Sequence, residues 1–128
     1  MTIQQRNLTA LLAIFPGFTK SQDVEIHQRV ERRGYMPLVF ERIDGGFGNA
    51  TYSLAHYFRQ NGDAMRDPEV TFEVIGDGIY STSITQDPVG RYQEFSVNSA
   101  AGRRCDDFLG EWLRNLRDQG LAAEVANV

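Results

Sequence analysis

Apolar residues near the N-terminus recur at the spacing of one helix face. They occupy i, i+3, i+4 and i+7 positions at Leu8, Leu11, Leu12 and Phe15. Thr2 and Gln5 have the spacing of a capping box, and Pro16-Gly17 ends the stripe because proline cannot continue the hydrogen-bond ladder. The pattern predicts a first helix from about Ile3 to Phe15.

A longer amphipathic stripe lies near the C-terminus. Its apolar positions again follow helical spacing, at Cys105, Phe108, Leu109, Trp112, Leu113 and Leu116. Asn98 or Ser99 can cap its start, and Gly120-Leu121 fits a Schellman end with Leu121 packed on Leu116. The solvent-facing side is expected to carry Arg103, Arg104, Asp106, Asp107, Glu111, Arg114, Arg117 and Asp118. The pattern predicts a helix lying on a core.

Between these helices, apolar and polar residues alternate with the period of two that half-buried strands show. Strands are predicted over residues 24–31, 35–43, 50–58, 69–74, 79–86 and 91–97, with turns at 32–34, 44–49, 76–78 and 87–90. In the third strand one face is predicted to carry Tyr52, Leu54, His56 and Phe58, and the other Thr51, Ser53, Ala55 and Tyr57. The segment RQNGDAMRDP, residues 59–68, is predicted as a connection longer than the two-residue turn that Asn-Gly alone needs. That excess length makes it a candidate functional loop.

The order of these elements predicts the fold class. Short turns between successive strands favour antiparallel neighbours, and one-sided alternation favours a sheet covered on one face. We therefore expect an α+β fold, in which an antiparallel meander of five to six strands is packed on one face by the N- and C-terminal helices. Residues 1–121 are expected to form a single domain, and residues 122–128 a loose C-terminal tail.

Charge and composition narrow the classes of function. The net charge of -4 repels phosphate backbones and disfavours nucleic acid as a direct ligand. Lys20 is the single lysine, so a mechanism that needs a lysine base or a Schiff base has only one candidate residue. The single cysteine, Cys105, excludes an intramolecular disulfide, and no apolar run reaches the roughly 18 residues of a membrane span. These features predict a cytoplasmic protein that does not enter a membrane.

Acidic residues around the Asn-Gly turn suggest a metal site, but their spacing argues against one. The candidate ligands are His56, Asp63, Asp67, Glu69 and Asp77. Glu69 and Glu73 would lie about 13 Å apart along a strand, at about 3.3 Å per residue, so they cannot share one ion. A metal-dependent nuclease is disfavoured because no lysine follows Glu69, and the glycine-rich GGFGNA does not match a phosphate-binding loop.

We therefore predict no catalytic, cofactor-binding or metal-binding residue. A small-ligand- or metal-dependent enzyme that uses residues 56–69 stays open as the alternative.

The remaining candidate is an interaction surface on the uncovered sheet face and the adjoining loop. Tyrosine and arginine among small polar residues are typical of recognition surfaces. The candidate residues are Tyr57, Arg59, Asn61, Asp63, Arg66, Asp67, Tyr80 and Tyr92. The competing interpretation is a sheet face that only contacts water.

The order of several motifs resembles a known family. The motifs are LLAIFPGF, YMPLVFERI, LAHYFRQNGDAMRDPEVTFEV, TQDPVGRYQEF and FLGEWLRNLRDQG, and they span roughly residues 8–120. They resemble a bacterial family of about 130 residues, classed as a domain of unknown function and often encoded on plasmids and integrative elements. The DPEV centre and the last helix are more weakly similar to a second uncharacterised, housekeeping bacterial family. Neither resemblance supplies a catalytic residue.

The resemblance implies a bacterial, mobile-element setting. In that setting, we expect a protein that acts by protein–protein recognition without catalysis, and one hypothesis is an inhibitor of a host defence complex. An acidic protein could there compete with nucleic acid for basic grooves. The enzyme that uses residues 56–69 is the first alternative function. The second is an accessory factor associated with nucleic acid.

Overall fold

The computed structural model describes residues 1–16, 18, 27–44 and 49–121. In chain order, helix α1 (Ile3–Ile14) comes before six strands and helix α2 (Ala100–Asp118) comes after them. The strands are β1 (His27–Val30), β2 (Leu38–Arg42), β3 (Ala50–Gln60), β4 (Asp63–Ile75), β5 (Gly78–Gln86) and β6 (Arg91–Glu94), with a 3₁₀ turn at Asp87–Val89. Each strand pairs antiparallel with the next in chain order. The predicted α+β meander with terminal helices is confirmed.

The helix ends follow the local sequence signals. Thr2 and Gln5 exchange both hydrogen bonds of a capping box, and the Ser99 hydroxyl accepts from the Gly102 amide at 3.1 Å. At the end of α2, the amide of Leu121 donates to the carbonyl of Leu116 at 3.0 Å, which is the long bond of a Schellman motif. The predicted caps of both helices are therefore confirmed.

Both helices pack on one face of the sheet and enclose the core. Aromatic rings form its centre, where Phe40 lies 4.8 Å from Phe15 and 5.3 Å from Tyr52 between ring centroids. Phe72 continues this layer 6.1 Å from Tyr52. Strands and helices are thus joined by one apolar cluster, which supplies most of the driving force for folding.

The prediction of a long connection at residues 59–68 is wrong. β3 continues to Gln60 and β4 begins at Asp63, so Asn61 and Gly62 alone make the turn, with φ angles of 54° and 85°. Both angles lie in the left-handed region that a two-residue hairpin turn requires. Pro68 lies within β4, at the position where the pairing with β3 shifts register. Excess loop length therefore gives no reason to assign function here.

Three further predictions need correction. Asp106, predicted on the solvent side of α2, is completely buried. Phe58, predicted in the core, is half-buried and lines a surface groove. The last strand ends at Glu94 instead of residue 97, because the chain turns there towards the cap of α2.

Several predicted features lie outside the described residues. They are residues 24–26 of the first predicted strand, Lys20, residues 45–48 of the glycine-rich turn and the tail 122–128.

Candidate functional site

We call the sheet face opposite the helices the outer face. Strand register places its residues in rows, because directly paired residues point to the same side of a sheet. One row contains Glu41, Ser53, Thr71, Ser83 and Glu94, and the next contains Val39, Ala55, Glu69, Thr85 and Tyr92. The core residues Phe40, Leu54, Val70 and Ile84 occupy the alternate positions. The outer face is therefore mainly small and polar.

The centre of the outer face is densely packed, although neither α1 nor α2 lies on it. Ser53, Ala55 and Thr85 are only 2%, 1% and 2% exposed. This centre differs from a sheet face that simply contacts solvent.

Glu69 is held in place at this centre by two hydrogen bonds. The Ser53 hydroxyl donates to one carboxylate oxygen at 2.7 Å, and the Arg66 guanidinium lies 3.3 Å from the other. Arg66 also binds Asp87, whose carboxylate accepts from the Arg66 backbone amide at 2.8 Å and from Nε at 3.2 Å. The Glu69 carboxylate is thus held in one orientation by hydrogen bonds to both of its oxygens.

The same charges shift the titration of their neighbours. The backbone and side-chain hydrogen bonds from Arg66 lower the pKa of Asp87, and the bond to Asp87 raises the pKa of Arg66. Burial raises the pKa of Tyr57, and the nearby Glu69 carboxylate raises it further. These groups therefore keep fixed charges, with a neutral tyrosine beside them, at neutral pH.

A groove with a volume of about 520 Å³ lies next to this centre, between β1 and the free end of the β3–β4 hairpin. Its apolar surface comes from Pro37, Val39, Tyr57, Phe58 and Ala64, and its polar rim from His27, Arg29, Glu41 and Arg59. Tyr35 and Met36, just before Pro37 in the chain, are 45% and 37% exposed. An apolar groove with a charged rim suits an apolar side chain of a partner flanked by polar groups.

The structure separates the predicted surface residues into three places. Tyr57 and Arg59 line the groove, and Arg66 and Tyr92 belong to the polar centre, where the Tyr92 hydroxyl donates to Glu94. Asn61 lies at the hairpin tip and Asp63 directly follows it. The other two lie elsewhere: the charge of Asp67 acts on His56, and Tyr80 pairs with Glu73 at the end of the outer face that is away from the groove.

Sequence reasoning missed Val39 and Pro37 in the groove. Leu38, Val39 and Phe40 form an apolar run inside a predicted strand, so alternation requires Val39 to point away from the core. That signal was sufficient to place an apolar residue on the outer face. The residues that β1 adds to the groove could not be predicted in this way. Their position depends on the pairing of Arg29 with Val39, and the pattern of a single strand does not show which residues pair.

The residues of the alternative enzyme hypothesis lie on different sides of the sheet. His56 is buried against Trp112 of α2, with 5.4 Å between ring centroids, and its Nδ1 lies 3.4 Å from the Pro37 carbonyl oxygen. Burial lowers the pKa of His56. Glu69 lies on the outer face, and within the described ranges no group of three His, Cys, Asp or Glu side chains is placed to hold a metal ion.

Cys105 packs in the core, where burial raises the pKa of its thiol to about 11. A thiol with that pKa has very little of the reactive thiolate at neutral pH.

Fold and surface together define an α+β domain in which two terminal helices cover one face of a six-stranded meander. Over residues 6–122 the chain matches the family model described as a domain of unknown function, DUF6908, and it belongs to that family. This confirms the resemblance to an uncharacterised family of about this length. Searches of curated proteins and of solved structures found no match. In the described part of the chain, neither helix has the length and apolar character needed to cross a membrane.

Proposed function

We propose that the protein is a non-catalytic recognition domain that binds a partner protein through the groove on its outer face. The observation that carries the proposal is an apolar groove of about 520 Å³, lined by Pro37, Val39, Tyr57 and Phe58 and rimmed by arginine. Aromatic and apolar anchors surrounded by arginine are the usual composition of energetically important contact sites.

The polar centre supports recognition better than catalysis. Glu69 and Asp87 are both engaged by Arg66, so the most ordered carboxylates of the outer face have a fixed hydrogen-bond arrangement. Pre-organised side chains lose little conformational entropy on binding, which favours affinity.

The identity of the partner is a further step of the proposal. The mobile-element setting favours a component of a host defence complex, and the net charge of -4 favours a partner with a basic surface. The fixed anions Glu69 and Asp87 would face such a surface.

Site-specific photo-crosslinking in the native host tests the proposal. A benzophenone amino acid replaces Tyr57 in the groove or, as the control, Tyr80 at the end of the outer face that is away from the groove. We expect an adduct from position 57 that is absent from position 80. Identical adducts from both positions, or none from position 57, would contradict the proposal.

A matched pair of variants assigns the adduct to the groove. Ala64→Arg fills the groove from its exposed edge, whereas Gln60→Arg adds the same charge to the same hairpin outside it. We expect the position-57 adduct to fall by about tenfold in Ala64→Arg, which corresponds to about 1.4 kcal/mol of binding, and to persist in Gln60→Arg. Equal yields in the two variants would exclude the groove as the contact site.

A further inference from the structure

A second groove, with a volume of about 360 Å³, lies between α1 and α2. Three arginines line it, Arg6 from α1 and Arg114 and Arg117 from α2, together with the apolar side chains of Met1, Ile3 and Ala10. All three arginines are exposed. The outer-face groove lies on the opposite side of the sheet, so a partner there would leave this one accessible.

The charge of this groove is opposite to that of the whole protein. None of the described residues that line it is acidic, and α1 contains no acidic residue. Among the residues that the structure describes, none of the three guanidinium groups forms a hydrogen bond or an ion pair. Three unpaired arginines in a chain of net charge -4 form a local positive site that attracts anionic groups.

The groove is formed by a close and fixed approach of the two helices. A Cβ atom on Gly110 would lie 3.0 Å from the Asn7 side-chain oxygen and 3.2 Å from Ile3 Cδ1, so a larger residue here would require these side chains to shift. The Asn7 amide donates to the Asp106 carbonyl at 2.9 Å, and the Gln4 amide donates to the Asp106 carboxylate at 2.8 Å. These bonds fix the floor before any ligand binds.

We propose that this groove binds an acidic amphipathic helix of a partner protein. A third helix packs readily between two neighbouring helices, with its apolar residues on Ile3 and Ala10 and its carboxylates on the arginine side chains. Arginine pairs with carboxylates in a bidentate manner, which fixes their orientation. A nucleic acid fits less well, because the apolar side chains of Met1, Ile3 and Ala10 offer nothing to phosphate and the overall charge repels it.

The inference goes beyond recognition at the outer face, because it gives the protein two opposed binding surfaces. A domain of this kind could hold two partners at once and act as an adaptor.

Fluorescence anisotropy with synthetic helices tests the inference. The probe is a labelled 16-residue peptide with leucines at i, i+4, i+7 and i+11 and glutamates beside them, and the comparison peptide carries glutamine at those flanking positions. We expect the glutamate peptide to bind at least about tenfold more tightly at low salt, and the difference to shrink as salt screens the charges. Equal affinity for both peptides, or no binding of either, overturns the proposal.

Charge-matched variants locate the binding site. Arg6→Glu with Arg114→Glu reverses two groove charges, and Arg33→Glu with Arg104→Glu reverses two exposed charges elsewhere. We expect the first pair to weaken binding by at least about tenfold and the second to leave it unchanged. Equal losses overturn the assignment, as does tighter binding of a 16-nucleotide single strand than of the glutamate peptide.

A control variant separates this test from that of the proposed function. Ala64→Arg fills only the outer-face groove, so it should bind the glutamate peptide normally. The two proposals can therefore fail independently.

Discussion

At the residue scale, Asp106 is the side chain that most directly connects the two helices and the sheet. Its carboxylate accepts from the Gln4 amide and from the Ser81 backbone amide, each at 2.8 Å. We expect Asp106→Ala to lower the free energy of unfolding by about 2–4 kcal/mol, because two buried donors lose their acceptor. Urea unfolding followed by circular dichroism measures this loss.

The neighbouring residue provides the control. Asp107 is exposed on the same helix turn, so Asp107→Ala should change stability by about 0.5 kcal/mol or less. If both alanine variants unfold at the same urea concentration, the buried network does not contribute as we infer.

The misplacement of Asp106 in the sequence shows why a polar core residue is hard to predict. Helical spacing places residue 106 on one stripe with Leu109 and Leu113, but its carboxylate argued for the solvent side. Its stabilising partners, Gln4 and Ser81, are distant in the sequence, and no local pattern reveals them. Apolar core positions such as Val70 and Phe72 needed no such partner, and alternation alone identified them.

At the element scale, the β3–β4 hairpin sets the position of the outer-face groove. Its turn holds Gly62 at a φ of 85°, a conformation that β-branched residues strongly avoid, with open space around the α-carbon. We expect Gly62→Val to destabilise the protein by about 1–3 kcal/mol through backbone strain, since no side chain obstructs the new group. Thermal and urea unfolding measure the change.

Asp63→Val introduces the same side chain one residue later, where the backbone is extended and exposed. Valine is favourable in a strand, so this variant should keep wild-type stability within about 0.5 kcal/mol. A loss as large as that of Gly62→Val would mean that added bulk, and not the turn conformation, limits the hairpin.

The elements themselves were largely predictable, and their ends were not. Hydrophobic period identified both helices and the strands, but the Asn-Gly turn was assigned to a long connection at residues 59–68 that the structure does not have. Pro68 and the acids around it favoured a loop, because proline cannot donate to a ladder, yet the shift in strand register accommodates it inside β4. The groove was less predictable, since it forms only where β1, β2 and the hairpin come together.

At the scale of the whole molecule, the contact between sheet and α2 should make stability depend on pH. His56 is buried against Trp112, and burial lowers its pKa below the usual value of about 6.5. The unfolded chain therefore binds a proton at His56 at a higher pH than the folded protein does. The free energy of unfolding is greatest above about pH 7 and falls as pH drops through about 6.5 towards the folded pKa.

Other groups should contribute little in this range. Hydrogen bonds from arginine lower the pKa of Asp44 and of Asp87, so their contributions disappear only below about pH 4, where the unfolded carboxylates become protonated. Urea unfolding at pH 7.5, 6.5 and 5.5 should therefore report mainly on His56.

His56→Gln removes the titrating ring, whereas His27→Gln removes a histidine that is exposed on β1. We expect the first variant to lose the decline in stability between pH 7.5 and 5.5 and the second to keep it. If the free energy of unfolding still declines with pH in both variants, a group other than His56 causes the decline. Since His56 lies between β3 and α2, its protonation should weaken the contact that covers the inner sheet face, and the outer face would keep its own hydrogen bonds.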